Sequence, residues 1–197
     1  MAEPRRTITA LRARRGRVVV ELDGAAWRVL PAEVVVRSGL SVGLTLDRPT
    51  LRLVRRELRR AEALEVAGRA LGVRDLSERA LAERLESRVA PAARDEALQT
   101  LARVGVLDDR RVAQNRAAVL AGRGYGDAAI RHDLHRRGLE TEEIEDAIAR
   151  LDPEPLRASA IVVRRGHGPA TARHLAARGF AEDAVESALE TGFATDP

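Results

Sequence analysis

The sequence contains no cysteine, and aromatic residues account for only 2% of its 197 positions. Without cysteine the chain can form neither disulfides nor thiolate metal sites, which is compatible with a reducing cytoplasm. A core with few aromatic side chains must be built from leucine, valine, isoleucine and alanine, and this composition favours helices. No apolar run approaches the roughly 18 residues of a membrane helix. The composition therefore predicts a soluble, cytosolic and mostly helical protein.

Lysine is also absent, so all 34 basic residues are arginine. A GC-rich genome and bidentate phosphate recognition both explain this bias, and the bias does not separate them. The distribution of charge is more informative, because residues 1–60 contain 14 arginines and only six acidic residues. A polyanion or an acidic protein surface is a natural partner for this basic N-terminal segment.

Residues 7–30 have the pattern of a small β-layer. A valine-rich run lies between two turn sequences, Arg14–Arg17 and Asp23–Gly24, and a third short strand follows around Trp27. The helices that come next are expected to begin at prolines, which suit the first turn of a helix. We therefore interpret residues 1–60 as a basic N-terminal extension made of this β-layer and helices.

The C-terminal two-thirds of the chain repeats itself. Arg123–Gly126 and Arg137–Leu139 reappear as Arg165–Gly168 and Arg178–Phe180, at offsets of 42 and 41 residues. A third, degraded copy lies upstream and keeps only the apolar skeleton, namely Leu81, Leu85, Val89, Leu98 and Leu101. Self-similarity at this period indicates stacked helical units, each too small to bury its apolar face alone.

Each repeat has apolar positions at helical spacing and is expected to contain three helices. The three units are expected at residues 61–109, 110–152 and 153–197. The helices of the last two units are predicted at about 110–121, 127–137, 141–151, 155–165, 169–178 and 181–191. The predicted fold is therefore an elongated array of three tandem three-helix repeats behind a small N-terminal β-layer.

Enzymatic motifs are absent from the sequence. His132 and His135 lie three residues apart, but no third metal ligand follows at a recognisable spacing. The acidic pair Asp108–Asp109 is interpreted as a helix N-cap. No glycine-rich phosphate loop follows a strand, and there is no nucleophile elbow. We therefore expect no catalytic activity, no metal site and no cofactor.

Charge is segregated within each repeat, with basic residues on the second helix and acidic residues on the third. Stacked repeats would align these helices into a basic stripe that suits an extended charged partner, although the same segregation also satisfies helix dipoles. Tyr125 and His167 occupy equivalent positions between glycines, where a ring could stack on bases or fill the turn. The candidate nucleic-acid-facing residues are Arg123, Tyr125, Arg131, Arg136, Arg137, Arg164, Arg165, His167, Arg173 and Arg178.

Several of these segments resemble the RecX family. Gly105–Ala113 resembles the family signature G-L-L-D-D-x-R-F-A. Arg123–Gly126, continuing to Arg137–Leu139, is similar to the family's R-G-x-G turn and the L-x-x-K/R-G that follows it. Ser77–Leu85 resembles the first-repeat pattern S-x-x-E-L-x-x-x-L, and residues 30–46 resemble an N-terminal extension that many members carry. The resemblance covers nearly the whole chain.

The resemblance implies a regulator of the RecA recombinase that lies in the groove of the RecA–single-stranded DNA filament. Such a protein would suppress the ATPase, strand-exchange and coprotease activities of the filament, and so modulate DNA repair, homologous recombination and the SOS response. The implied partners are RecA and single-stranded DNA, with duplex DNA as a further candidate, and the protein is expected to be a monomer. A stand-alone helix-turn-helix DNA-binding protein is the alternative, and sequence-specific duplex binding without a recombinase would favour it.

Overall fold

The computed structural model describes residues 6–191. The outer ends of the expected segments 1–60 and 153–197, residues 1–5 and 192–197, lie outside the described residues. The chain packs into two compact units. The first unit combines the residues up to Arg74 with Ala82–Leu101, and the second combines Asp75–Leu81 with the residues from Ala102 onward.

The first unit begins with an antiparallel sheet. Its strands are β1 (Arg6–Arg14), β2 (Arg17–Leu22), β3 (Ala25–Pro31) and β4 (Thr45–Leu46), arranged in the order β3-β2-β1-β4. Both hairpin turns contain two consecutive residues with positive φ, which matches the right-handed twist of the flanking strands. The three predicted strands are confirmed. The sequence does not predict β4, because a two-residue strand has no periodicity of its own.

Two helices cover the inner face of the sheet, α1 (Ala32–Arg37) and the 24-residue α2 (Arg48–Leu71). The core between them is aliphatic, as predicted, and Trp27 packs half-buried against it. The one carboxylate buried in this unit, among the described residues, belongs to Glu57 of α2. Its Oε2 accepts a hydrogen bond from Nε of Arg37 at 2.6 Å, which compensates the buried charge.

Helix α2 continues beyond the sheet and meets α4 (Pro91–Arg103), with the short α3 (Glu78–Glu86) between them in the chain. Small side chains, including Ala63, Ala93 and Ala97, bring α2 and α4 close together. Because α2 is unbroken, the boundary expected between residues 60 and 61 lies inside a helix. The change in charge at that point is not accompanied by a break in helical propensity.

The second unit contains two complete helix triplets. They are α5 (Asp109–Gly122), α6 (Asp127–Arg136) and α7 (Thr141–Ala149), followed by α8 (Glu154–Arg165), α9 (Pro169–Ala177) and α10 (Glu182–Thr191). All six helices lie within two residues of their predicted bounds. Each triplet buries its own apolar cluster, centred on Ile130, Leu134 and Ile144 in one and on Val162, Leu175 and Phe180 in the other.

Candidate nucleic-acid interface

The two triplets of the second unit are joined backbone to backbone. The amide of Gly126, at the start of α6, donates to the carbonyl of Arg178 at 2.9 Å, and the amide of Ala128 donates to the carbonyl of Gly179 at 3.1 Å. A Cβ atom on Gly126 would lie 2.3 Å from the Gly179 carbonyl oxygen. Glycine is therefore required at position 126, because any side chain would push the triplets apart.

The same kind of joint connects the start of α3 to the first triplet of this unit. The Ser77 hydroxyl donates to the carbonyl of Arg137, the counterpart of Arg178. The amide of Glu78 donates to the Asp109 carboxylate at 2.8 Å, just as the amide of Asp127 donates to the Glu154 carboxylate. Burial raises the pKa of Asp109 above its ordinary value. Successive repeats are thus joined by one recurrent arrangement.

The first acid of the Asp108–Asp109 pair caps α5, as predicted, by accepting a hydrogen bond from the amide of Arg111 at 3.0 Å. The second acid is the one that serves the joint. The sequence does not distinguish these roles, because the joint contact involves residues 31 positions apart in the chain.

Arg157 of α8 fastens the joint between the two triplets. Its guanidinium donates to the carbonyl of Tyr125 at 2.9 Å and to the Asp127 carboxylate, and it lies 5.8 Å from the centre of the Phe180 ring. Only 11% of its side chain is exposed. The sequence does not predict this role, because backbone carbonyl partners leave no pattern in it.

Beside this joint lies a basic cleft of about 330 Å³. Four arginines line it, together with one histidine, and no acidic residue does. The cleft residues are Gly122, Arg123, Gly124, Ile161, Arg164, Arg165, His174 and Arg178. A recess that gathers four permanent cations and excludes carboxylates attracts anions, and planar guanidinium groups suit phosphate oxygens in particular.

The cleft arginines are positioned by neutral groups. The Arg178 guanidinium donates to the carbonyl of Arg123 at 3.3 Å and lies 4.6 Å from the centre of the Tyr125 ring. Nε of Arg164 donates to the carbonyl of Ala160 at 3.1 Å. Carbonyl oxygens and an aromatic face orient a guanidinium without neutralising its charge, so the cleft keeps its positive potential. Tyr125 itself packs half-buried against the core of its triplet.

His174 is the one histidine that lines the cleft. Burial lowers its pKa below the ordinary value, and the nearby charges of Arg165 and Arg178 lower it further. Both effects favour the neutral imidazole, which offers a hydrogen bond rather than a fifth charge. His174 is not among the candidate residues predicted from the sequence.

The remaining candidate residues differ in their surroundings. Arg131 is held by Glu145 of α7 through two hydrogen bonds of 2.7 and 2.9 Å, and Arg137 donates to Asp133 at 2.7 Å. Arg136 and Arg173 are exposed and have no ion-pair partner among residues 6–191. His167 is exposed at the corner between α8 and α9. The basic second helix and the acidic third helix of the first triplet thus neutralise each other in part.

Asp133 anchors a small ionic network on α5 and α6. Arg116 binds both of its carboxylate oxygens, at 2.8 and 2.9 Å, and Arg137 binds one of them as well. The hydrogen bonds from Arg116, followed by those from Arg137, hold the pKa of Asp133 well below its usual range. The network fixes α6 against α5 and binds two guanidinium groups that do not line the cleft.

Replacing Asp133 with asparagine is expected to lower the free energy of unfolding at pH 7 by about 2 kcal/mol, because two guanidinium groups lose their carboxylate. A depressed carboxyl pKa contributes stability that is present above the unfolded pKa of about 4 and is lost as the pH falls below it. Urea denaturation at pH 7 and at pH 3 should therefore show a difference between the variant and the parent that shrinks in acid. Asp75→Asn, at an exposed position, is the matched control, and a pH-independent difference would contradict this account.

Two further features of the described chain bear on its chemistry. Between residues 6 and 191, no three histidine, aspartate or glutamate side chains come together closely enough to hold a metal ion. In the same range, no helix combines the length and the apolar character needed to cross a bilayer. The longest helix, α2, carries seven arginines along its 24 residues.

The fold defines a tandem three-helix-repeat protein whose second unit presents a basic cleft. The family described as RecX, second three-helix domain, matches residues 108–148, which include α5, α6 and most of α7. The regulatory protein RecX of Deinococcus radiodurans is 33% identical over 145 residues, or 68% of this chain and 70% of the relative. The chain therefore belongs to the RecX family of regulatory proteins.

Solved structures agree with the fold. A crystal structure of regulatory protein RecX superposes with a TM-score of 0.79 and 19% identity, covering 94% of this chain and 99% of the other. A crystal structure of RecX from Lactobacillus salivarius gives a TM-score of 0.58 at 16% identity, covering 68% of this chain and 96% of the other. These similarities confirm the predicted arrangement of helical repeats.

Proposed function

We propose that this protein regulates the RecA recombinase by binding the RecA–single-stranded DNA filament and inhibiting its ATPase, strand-exchange and coprotease activities. Membership of the RecX family supports the choice of partner. The single structural observation that carries the proposal is the carboxylate-free cleft formed by Arg123, Arg164, Arg165 and Arg178. A nucleoprotein filament displays a regular series of phosphates, and a preformed cationic recess binds one of them without first breaking ion pairs.

The proposed mode of binding uses several weak contacts along the chain. The four cleft arginines, with exposed Arg136 and Arg173, would meet phosphate groups directly. Arg131 and Arg137 would contribute only after leaving Glu145 and Asp133, and the rings of Tyr125 and His167 would face the same partner. Linked contacts of modest strength add up to tight binding, because the second contact forms at a high effective concentration.

The proposal also retains the division of the chain into a basic extension (1–60) and three repeats (61–109, 110–152 and 153–197). The recurrent joint supports the succession of repeats, because Ser77 and Gly126 donate to the equivalent carbonyls of Arg137 and Arg178, through a hydroxyl in one case and a backbone amide in the other. The amides of the residues that follow, Glu78 and Asp127, both donate to a carboxylate of the next repeat. In this proposal the protein acts as a cytoplasmic monomer and carries out no reaction of its own.

The experiment that tests the proposal is ATP hydrolysis by the cognate RecA on single-stranded DNA, titrated with this protein at moderate salt. We expect inhibition at well below one copy of this protein per RecA protomer. A hydrolysis rate that stays unchanged at equimolar protein would contradict the proposal. Sequence-specific binding to duplex DNA in the absence of RecA would instead favour a stand-alone helix-turn-helix DNA-binding protein.

A further inference from the structure

A second basic surface lies in the first compact unit, on the N-terminal half of α2. Arg52, Arg55 and Arg59 are exposed and follow one another at spacings of three and four residues, so they share one face of the helix. Together they span about 10 Å along the helix axis, at roughly 1.5 Å per residue. Arg48 lies one turn earlier on the same face. We call Arg52, Arg55 and Arg59 the α2 row.

The arginines of the α2 row form no ion pair within residues 6–191. Glu57, the only acidic residue between positions 48 and 60, is buried and bound to Arg37. Glu96 lines the same recess as Arg59, but its carboxylate is bound to Arg56. The neighbouring arginines on the adjacent face bind α4, since Arg56 pairs with Glu96 at 2.6 Å and Arg60 donates to Thr100 at 3.2 Å. The helix thus separates structural arginines from unpaired ones.

We propose that the α2 row binds the sugar-phosphate backbone of a nucleic acid, independently of the cleft in the second unit. A regular row of cations suits a polymer with regularly spaced phosphates better than it suits the irregular charges of a protein surface. The segment from Arg48 to Arg60 contains no aromatic residue to stack on bases. Contacts between arginines and phosphates carry no sequence information, so we expect binding at this surface to be independent of base sequence.

The consequence is a protein with one phosphate-binding surface in each compact unit. Two weak surfaces on one chain increase the affinity for a long strand more than either surface does alone. This inference concerns direct binding to nucleic acid and does not rest on the proposed action on RecA.

The test is the binding of labelled oligothymidine by the full chain, followed by fluorescence anisotropy across a salt series without RecA. Arg52→Gln, Arg55→Gln and Arg59→Gln, combined, should reduce the slope of log K against log salt by about 2, and the affinity by about 50-fold in roughly 0.15 M salt. A mixed-sequence strand should behave like oligothymidine. Restoring the charges as Arg52→Lys, Arg55→Lys and Arg59→Lys should recover most of the affinity.

The matched control removes three other exposed arginines of the same unit, as Arg74→Gln, Arg84→Gln and Arg88→Gln, and so makes the same change in net charge. An equal loss of affinity in both triple variants would overturn the proposal in favour of a general charge effect. An unchanged salt slope in the α2 variant would also overturn it. If the α2 variant bound DNA as the parent does but no longer bound RecA, the partner of this surface would be an acidic protein instead. Glutamine retains helix propensity, so unchanged helical circular dichroism is expected in every variant.

The DNA-binding assay separates this inference from the proposed function. If the α2 variant loses DNA affinity while the parent fails to inhibit RecA, the inference about the α2 row is supported and the proposed function is contradicted. If the parent inhibits RecA and the α2 variant binds DNA as tightly as the parent does, the inference about the α2 row is contradicted and the proposed function is supported.

Discussion

Replacing Gly126 with alanine is expected to lower the free energy of unfolding of the second unit by about 3 kcal/mol. The added Cβ would lie 2.3 Å from both the Gly179 carbonyl oxygen and the Phe180 amide nitrogen. Both of these are backbone atoms, so no side chain can rotate to make room. The hydrogen bonds from Gly126 and Ala128 to the facing loop would lengthen together, and the two triplets would separate.

Gly122→Ala is the matched control for this prediction. Gly122 lies only four residues earlier, at the end of α5, and a Cβ there would meet no atom within 4 Å. Alanine at this helical position is expected to change stability by less than about 1 kcal/mol, in the stabilising direction. Urea denaturation monitored by circular dichroism measures both variants. Equal stabilities for the two alanine variants would show that the joint is looser than the structure indicates.

Gly126→Ala should also affect the cleft. Arg123 precedes Gly126 in one triplet, whereas Arg164, Arg165 and Arg178 belong to the next, so separating the triplets widens the space between their guanidinium groups. We therefore expect Gly126→Ala to weaken DNA binding even at temperatures where the variant remains folded. Gly122→Ala is unsuitable as the control for this second effect, because Gly122 lines the cleft.

The largest expected effect on binding follows from neutralising the cleft. Changing Arg123, Arg164, Arg165 and Arg178 together to glutamine removes four charges, and should reduce the salt slope by about 3 and the affinity for single-stranded DNA by about 200-fold in roughly 0.15 M salt. The same variant should require at least about tenfold more protein for half-maximal inhibition of RecA ATP hydrolysis, since one decade corresponds to about 1.4 kcal/mol of lost contact.

A variant with the same change in net charge controls for this effect. Four other exposed arginines of the second unit lie outside the cleft, and they are Arg103, Arg110, Arg111 and Arg150. Their combined replacement by glutamine should leave most of the affinity and most of the inhibition. If inhibition survives in the cleft variant while DNA affinity falls, the cleft binds DNA but the contact with RecA lies elsewhere. If neither quantity changes, the cleft is not an interface.

The sequence predicted the elements of this protein well, because each rests on a local pattern. Glycines at 138 and 179 mark the ends of α6 and α9, where the structure has φ values of 81° and 80°. The turn at Asp23–Gly24 marks a hairpin in the same way. By contrast, β4 has two residues and no pattern, and the charge change near residue 60 does not interrupt α2.

The candidate site was predictable only in part. The basic clusters of the repeats predicted ten candidate residues, among them Arg123, Arg164, Arg165 and Arg178, and the structure brings these four into one cleft. Nothing in the spacing distinguished them from Arg131, which Glu145 holds from the next helix. Pairing depends on distances between helices, and a one-dimensional pattern of charges does not contain those distances. The same reason explains why the role of Arg157 was missed.

The sequence alone thus determined the helical repeats, the N-terminal hairpins, the aliphatic composition of the core and the family, because these depend on local propensity, periodicity and motif order. Only the tertiary structure decided which arginines are neutralised and which stay available to an anion. It also decided why Gly126 must be glycine, since that requirement comes from a backbone more than 50 residues away that packs directly against it. The sequence gives the positions of the charged residues and glycines, but packing decides which groups they contact.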